Sequence, residues 1–251
     1  MHTNCIPLLA IVTDGLEKIM LPPLVRPSVP NDKPNEDLVL WGTNYYNYCV
    51  IAHLRVVLRG IVDLIKLGNV PTAFVACRHV YEWTAHTCYM SKNLGDHIAK
   101  QEWAEAGQLQ SRVMEANRWV KEHGEKYEPT YPYDEMPDQL RLKKSLAAYA
   151  EYQIQTYGAS DVGDSYALLS EHSHPNSACF NPYCRFSGAE VRFVRPSADA
   201  ALLGEERCLI DLVQFLHKML LLGKERTVLP QVRAIIDQII ATAKTVKAKS
   251  V

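Results

Sequence analysis

The chain has 251 residues, of which 47% are hydrophobic and 22% charged, and its formal net charge is −1. This composition excludes wholesale disorder, which requires low hydrophobicity and high net charge. It also excludes a protein that holds nucleic acid or a membrane through bulk charge alone. Residues 96–138 nevertheless contain ten acids and five bases (net −5), and residues 218–249 contain seven bases and two acids (net +5). The basic end is either a solvated helix terminus or a local contact for nucleic acid or an acidic partner.

The seven cysteines are an odd number and lie mostly in apolar periodic stretches. A secreted disulfide framework is short and evenly paired, so we expect reduced cysteines that serve as small core residues. The apolar patch at residues 6–12 is interrupted by Pro7 and has no basic residue before it, which disfavours a signal peptide. No stretch has the ~20 apolar residues that a membrane span needs. We therefore predict a cytoplasmic protein without a membrane partner.

The hydrophobic periodicity predicts an all-α protein, a single bundle of seven to eight helices. The expected helices cover residues 37–67, 71–92, 96–122, 138–157, 164–174, 198–222 and 229–248. A small β-hairpin is possible near residues 182–195, and residues 124–137, rich in proline and tyrosine, form the best candidate boundary. We expect one domain over residues 1–251, made of an N-terminal segment (1–36), a core (37–223) and a basic C-terminal helix (224–251).

Two helices carry polar side chains at four-residue spacing. The helix after Pro71 carries Arg78, Glu82 and His86 on one face, and Arg78 and Glu82 can form an ion pair one turn apart. The residues that flank these polar positions are largely apolar, which indicates that the helix is partly buried.

The short helix before Pro175 carries Tyr166, Ser170 and His174 with the same spacing. If the two helices face one another, these three residues join Arg78 and Glu82 in one polar cluster. Such a cluster is either a hydrogen-bond network that fixes helix register or an active or binding site.

If the cluster is catalytic, the most coherent chemistry for its residues is metal-independent cleavage of RNA. His174 would act as general base or acid and Arg78 would bind the scissile phosphate. Tyr166 and Ser170 would orient phosphate or ribose, and Glu82 would hold Arg78 in place. The 2′-hydroxyl of RNA would be the nucleophile, so the scheme needs neither a metal nor a cofactor.

The motifs R-x-x-x-E at residues 78–82 and Y-x-x-x-S-x-x-x-H-P at residues 166–175 resemble a widespread family of all-helical bacterial proteins known as a domain of unknown function. The resemblance covers roughly residues 40–220. More distantly, that family resembles the HEPN superfamily of helical bundles. The resemblance implies a homodimeric, RNA-directed endonuclease of bacterial stress or phage defence.

Many HEPN proteins carry an R-x(4–6)-H motif. Seven residues separate Arg78 from His86, outside this spacing, whereas four residues separate Arg118 from His123. Arg118 lies in a charged stretch that is typical of a solvated helix.

Three alternatives remain. One is a non-catalytic binding or scaffold protein whose polar cluster is structural, and another is a hydrolase that uses Ser170 and His174. The third is a zinc site, since four residues with tetrahedral ligand chemistry lie within thirteen positions: His172, His174, Cys179 and Cys184. The remaining histidines in apolar helical runs are expected to be hydrogen-bonded core or boundary residues: His53, His79 and His217.

Overall fold

The computed structural model describes residues 5–28, 34–115, 138–172, 184–187, 190–193 and 205–248. The described residues form an all-α protein with eight helices and one two-stranded antiparallel hairpin, as the periodicity predicts. The elements are α1 (Cys5–Lys18), α2 (Glu36–Lys66), α3 (Val70–Ala99), α4 (Trp103–Glu115), α5 (Asp138–Tyr157), α6 (Val162–His172), β1 (Cys184–Ser187), β2 (Glu190–Phe193), α7 (Glu205–Leu222) and α8 (Leu229–Ala248).

Helix α3 lies at the centre of the bundle and packs against α2, α5, α6 and α7. Its apolar residues join one core cluster that also takes side chains from α1 and α8. The largest fully buried side chains include Tyr81 on α3, Tyr149 on α5 and Phe215 on α7. None of the described helices has the length and apolar character to cross a membrane.

The predicted end of the second long helix is wrong. Gly95 and Asp96 were expected to separate two helices, but α3 continues through them to Ala99. The nearest atoms to a Cβ built on Gly95 are 3.7 Å away, on Leu222, so this glycine is accommodated inside the helix. The chain instead turns at Gln101, whose φ is +59°.

Helices α2, α5 and α8 agree with their predicted bounds within one residue, and α7 ends at the predicted residue 222. Helix α4 begins at Trp103, seven residues after the predicted start of the third helix. The hairpin forms within the predicted region, with Cys184 opposite Phe193.

Helix α6 begins two residues earlier than expected, at Val162, and its last two predicted residues, 173 and 174, lie outside the described residues. Helix α1 was not predicted; Pro7 lies in its first turn, where a missing N–H leaves no bond unmade. The loop over residues 124–137 lies outside the described residues.

Glu225 joins the last two helices to the core. Its carboxylate accepts hydrogen bonds from the backbone N–H groups of Thr227, Val228 and Leu229, at 2.8, 2.6 and 2.9 Å. It also accepts a hydrogen bond from the Tyr48 hydroxyl at 3.1 Å. These contacts satisfy donors that the first turn of α8 cannot satisfy itself, and they tie that turn to α2.

The cysteine prediction is confirmed for three residues. Cys77, Cys88 and Cys208 are free and buried, and burial raises the pKa of the Cys88 thiol to about 12. Cys49 is also free but exposed on α2.

Candidate functional site

Arg78, Glu82 and Tyr166 form a closed trio between α3 and α6. Arg78 Nε lies 3.1 Å from Glu82 Oε1, and Arg78 Nη2 lies 2.9 Å from the Tyr166 hydroxyl oxygen. The Tyr166 hydroxyl is also 3.0 Å from Glu82 Oε1, and the guanidinium carbon lies 5.2 Å from the centre of the tyrosine ring. The predicted approach of the two polar helices therefore occurs, and these three side chains meet.

The trio is half-buried and electrostatically coupled. The side chains of Arg78 and Glu82 are 29% and 23% exposed. Burial opposes the charge of Arg78, but the Tyr166 hydrogen bond and the Glu82 carboxylate outweigh it, so the pKa of Arg78 is raised. Burial and the neighbouring Glu82 raise the pKa of Tyr166. At neutral pH Arg78 is therefore a guanidinium cation and Tyr166 a neutral phenol.

The other predicted members have different outcomes. Ser170 lies on α6 one turn after Tyr166 and is partly buried. His174 lies outside the described residues, as do Arg118 and His123. His86 lies on the same side of α3 as Arg78 and Glu82, but its Nδ1 lies 2.8 Å from Ser145 Oγ on α5.

A second polar group lies beside the trio and was not predicted as a site. His53 of α2 and His79 of α3 face each other with their Nε2 atoms 2.7 Å apart. Trp83 Nε1 donates a hydrogen bond to His79 Nε2 at 3.0 Å. Both histidines are hydrogen-bonded, as expected, but His53 is exposed rather than at the core boundary. Their proximity is not visible in the sequence because 26 positions separate them.

The two imidazoles share their contact with an indole. An indole N–H only donates, so His79 Nε2 accepts from Trp83 Nε1. The donor between His53 Nε2 and His79 Nε2 depends on the tautomers of the two rings. Burial and the neighbouring imidazole lower the pKa of His53, so this residue is a neutral base at pH 7.

Glu82 connects the two groups. Its Oε1 contacts Arg78 and Tyr166, and its Oε2 lies 3.9 Å from His79 Nδ1. One partly exposed face of α3 thus presents an arginine, a glutamate and a histidine, with a tyrosine from α6 and a second histidine from α2. We call these five residues the polar face: His53, Arg78, His79, Glu82 and Tyr166.

A third polar group, centred on a buried carboxylate, lies between α5 and α7. Asp211 is 0% exposed, and its carboxylate accepts hydrogen bonds from the hydroxyls of Tyr149 and Tyr157 at 3.0 and 2.6 Å. Burial raises the pKa of Asp211, although both tyrosine hydrogen bonds oppose that shift. The enclosure and the satisfied carboxylate are typical of a structural network.

Glu205 is a buried acid at the first position of α7. Its side chain is 2% exposed, and its Oε1 has no hydrogen-bond partner among the described residues. Burial alone raises the pKa of Glu205 to about 8. A substantial fraction of this carboxyl is therefore protonated at neutral pH. The sequence does not suggest this protonation, because Glu205 stands beside Glu206 in a charged first turn.

A groove of about 380 Å³ lies between α1 and α8, away from the polar face. Gly15 and Ile235 line it, with Asp14, Lys18 and Gln231 at its polar edges. None of the five polar-face residues lines this groove.

The described residues contain no group of three or more histidine, cysteine, aspartate or glutamate side chains that could hold a metal ion. The zinc alternative depends on His174 and Cys179, which lie outside the described residues, so it stays a prediction.

Comparison of the chain with protein-family models, with curated proteins and with solved structures gives no significant match.

Proposed function

We propose that this protein is a metal-independent, RNA-directed nuclease of bacterial stress or phage defence, acting in the cytoplasm, with the polar face as its active site. The observation that supports this proposal is the grouping of a guanidinium, a phenol and two imidazoles on one partly exposed surface. These groups can bind a phosphodiester and move protons without a metal.

In the proposed reaction Arg78 binds the scissile phosphate, and Glu82 and Tyr166 hold the guanidinium in place. The 2′-hydroxyl oxygen attacks phosphorus and gives its proton to a neutral imidazole. The bond from phosphorus to the 5′-oxygen breaks, and that oxygen takes a proton from a protonated imidazole. His53 is a candidate base because its pKa is lowered by burial and by His79; His174 keeps the acid or base role expected from the sequence.

The test is cleavage of a single-stranded RNA by the purified full chain in the presence of a chelator. We expect products with 2′,3′-cyclic phosphate ends, and no cleavage of DNA of the same sequence. Arg78→Ala should lower the rate by about 10²–10³-fold, the usual effect of removing one preorganised donor, and His174→Ala by about 10²–10⁴-fold. Arg233→Ala, on the exposed face of α8, is the matched control.

An intact RNA, or equal rates for wild type and His174→Ala, would contradict the assignment. Because Arg78→Ala leaves Glu82 without its cation, the folding of this variant is checked first by circular dichroism and melting temperature. Tyr166→Phe is the milder second variant, because it removes one hydroxyl and keeps the ring under the guanidinium.

A non-catalytic binding or scaffold protein is the second candidate. It is favoured by the mutual hydrogen bonds of Arg78, Glu82 and Tyr166, because such bonds would hold α3 and α6 together as a structural network. Against a purely sealed network, the side chain of Arg78 is 29% exposed. If the network is only structural, Tyr166→Phe should lower the free energy of unfolding by about 1–2 kcal/mol, and no variant should cut RNA.

A further inference from the structure

Two aromatic rings stack on the surface of α2. Trp41 and Tyr45 lie one turn apart on this helix, with their ring centres 5.4 Å apart and their planes inclined by only 11°. Trp41 is partly buried and packs on one face of the Tyr45 ring, whereas Tyr45 is 40% exposed. The Tyr45 ring is therefore held in one orientation while part of its surface stays open to solvent. We call these two residues the aromatic pair.

The aromatic pair lies on the same side of α2 as His53 of the polar face. Tyr45, Cys49 and His53 follow one another at four-residue steps along one unbroken helix, and all three are exposed. The Cys49 side chain raises the pKa of the Tyr45 hydroxyl electrostatically and through a hydrogen bond, so these two side chains lie close together. An exposed line thus leads from the aromatic pair to the polar face, over a helical rise of about 12 Å.

The charges along this line favour an anionic ligand. Residues 38–62 of α2 include no acidic residue. At one end of the line, the guanidinium carbon of Arg26 lies 5.9 Å from the centre of the Trp41 ring, and Arg26 is exposed. At the other end lies Arg78 of the polar face, which engages the carboxylate of Glu82. A guanidinium therefore stands at each end, with exposed aromatic surface between them.

We propose that the exposed face of Tyr45 is a base-stacking subsite for the single-stranded RNA that the polar face cuts. This inference rests on the proposed function and assigns the path of the strand. With the scissile phosphate at Arg78, a nucleotide further along the strand lies on Tyr45. Aromatic rings bind single strands because every base has a π-face that can stack on them, and a guanidinium such as that of Arg26 pairs with phosphate. The subsite is therefore expected to hold unpaired strands of any sequence.

The test measures binding of a strand that the protein cannot cut. A 2′-O-methyl RNA of about eight nucleotides has no free 2′-hydroxyl, and a fluorescent label at one end reports its binding by anisotropy. Tyr45→Leu removes the aromatic face but keeps an apolar side chain, and it should weaken binding about 5–100-fold, as the loss of one stacked base does. Tyr45→Phe keeps the ring and should bind as wild type does. Ile154→Ala, at a 56% exposed position on α5, is the control for a surface substitution elsewhere.

A second strand separates stacking from charge. It has the same length and the same phosphates but carries abasic sites in place of bases. Wild type should bind this strand about 5–100-fold more weakly than the strand with bases, and Tyr45→Leu should not weaken its binding further. Equal affinity of wild type and Tyr45→Leu for the strand with bases would overturn the proposal, as would an equal loss of affinity for both strands. No binding by wild type would also overturn it and would leave a protein partner as the occupant of this surface.

These results are independent of catalysis, because neither strand can be cut. If the strand with bases binds through Tyr45 while unmodified RNA stays intact, the subsite is supported and the nuclease assignment fails. If RNA is cut and Tyr45→Leu leaves KM unchanged, the subsite is overturned and the nuclease assignment stands. The expected result is a raised KM with an unchanged kcat, because Tyr45 lies away from the reacting atoms.

Discussion

We expect the contribution of Glu205 to the stability of this protein to fall as the pH rises. Its side chain is 2% exposed, and burial raises its pKa from 4.5 to about 8 in the folded state. Because the folded-state pKa is the higher one, the unfolded chain releases this proton first, and unfolding becomes more favourable as the pH rises from 4.5 to 8. The contribution of the protonated carboxyl is complete below about pH 4.5 and is lost by about pH 8.

The magnitude follows from the same two values. One pKa unit corresponds to about 1.4 kcal/mol, so the ionisable carboxyl lowers the free energy of unfolding by less than about 1 kcal/mol at pH 5. The corresponding loss is about 3 kcal/mol at pH 7 and about 4 kcal/mol at pH 8. Glu205→Gln is nearly isosteric and does not titrate, so it should remove this dependence. For a chain of this size, the difference of about 4 kcal/mol between wild type and Glu205→Gln at pH 8 corresponds to a difference of roughly 8–16 °C in melting temperature.

The assay is thermal and urea unfolding of wild type and Glu205→Gln at pH 5, 6, 7 and 8. We expect similar stability at pH 5 and a growing advantage of the variant up to pH 8. Comparing the two proteins at each pH cancels the other titrating groups. Parallel loss of stability in both proteins would refute the reasoning, because the buried carboxyl would then not be the group that titrates.

Three further predictions concern other parts of the bundle. Gly15→Ala should lower the free energy of unfolding by about 1–2 kcal/mol in thermal unfolding, because its Cβ would lie 2.6 Å from a side-chain atom of α8. Gly60→Ala, with open space around the new Cβ, should instead raise the free energy of unfolding by about 0.5–1 kcal/mol. Equal effects of the two substitutions would contradict the packing argument. The pKa of His53, followed by NMR, should lie below the ordinary 6.5 and rise in His79→Ala, since the neighbouring imidazole contributes to the shift; an unchanged value would show that the rings do not interact. Glu225→Ala should destabilise the protein by about 2–3 kcal/mol in urea unfolding, because it removes the hydrogen-bond acceptor for the first turn of α8, and a loss below 0.5 kcal/mol would argue against that role.

Local patterns in the sequence were sufficient for much of the fold. The long helices α2 and α3 follow from apolar residues at three- and four-residue steps, and the Arg78–Glu82 pair follows from its four-residue spacing on one helix. The meeting of this pair with Tyr166 was also predicted, because two partly apolar helices that each carry a polar line bury those lines best against each other.

The errors arise where tertiary packing overrides a local signal. Gly95 is a common helix end, yet α3 continues because the bundle supports the helix along its length and the glycine clashes with nothing. Helix α1 was missed because its short apolar run is interrupted by Pro7. In the fold it packs on α2, α7 and α8, and this contact stabilises a segment whose own periodicity is weak.

The sequence by itself determined the helical class, the positions of most helices and one ion pair, because these depend on residues within a few positions of one another. Only the tertiary structure brought His53 to His79. Only the tertiary structure also enclosed Glu205 in the core. These features depend on which surfaces of distant segments meet, and helical spacing specifies which residues share a face but not which other face covers it.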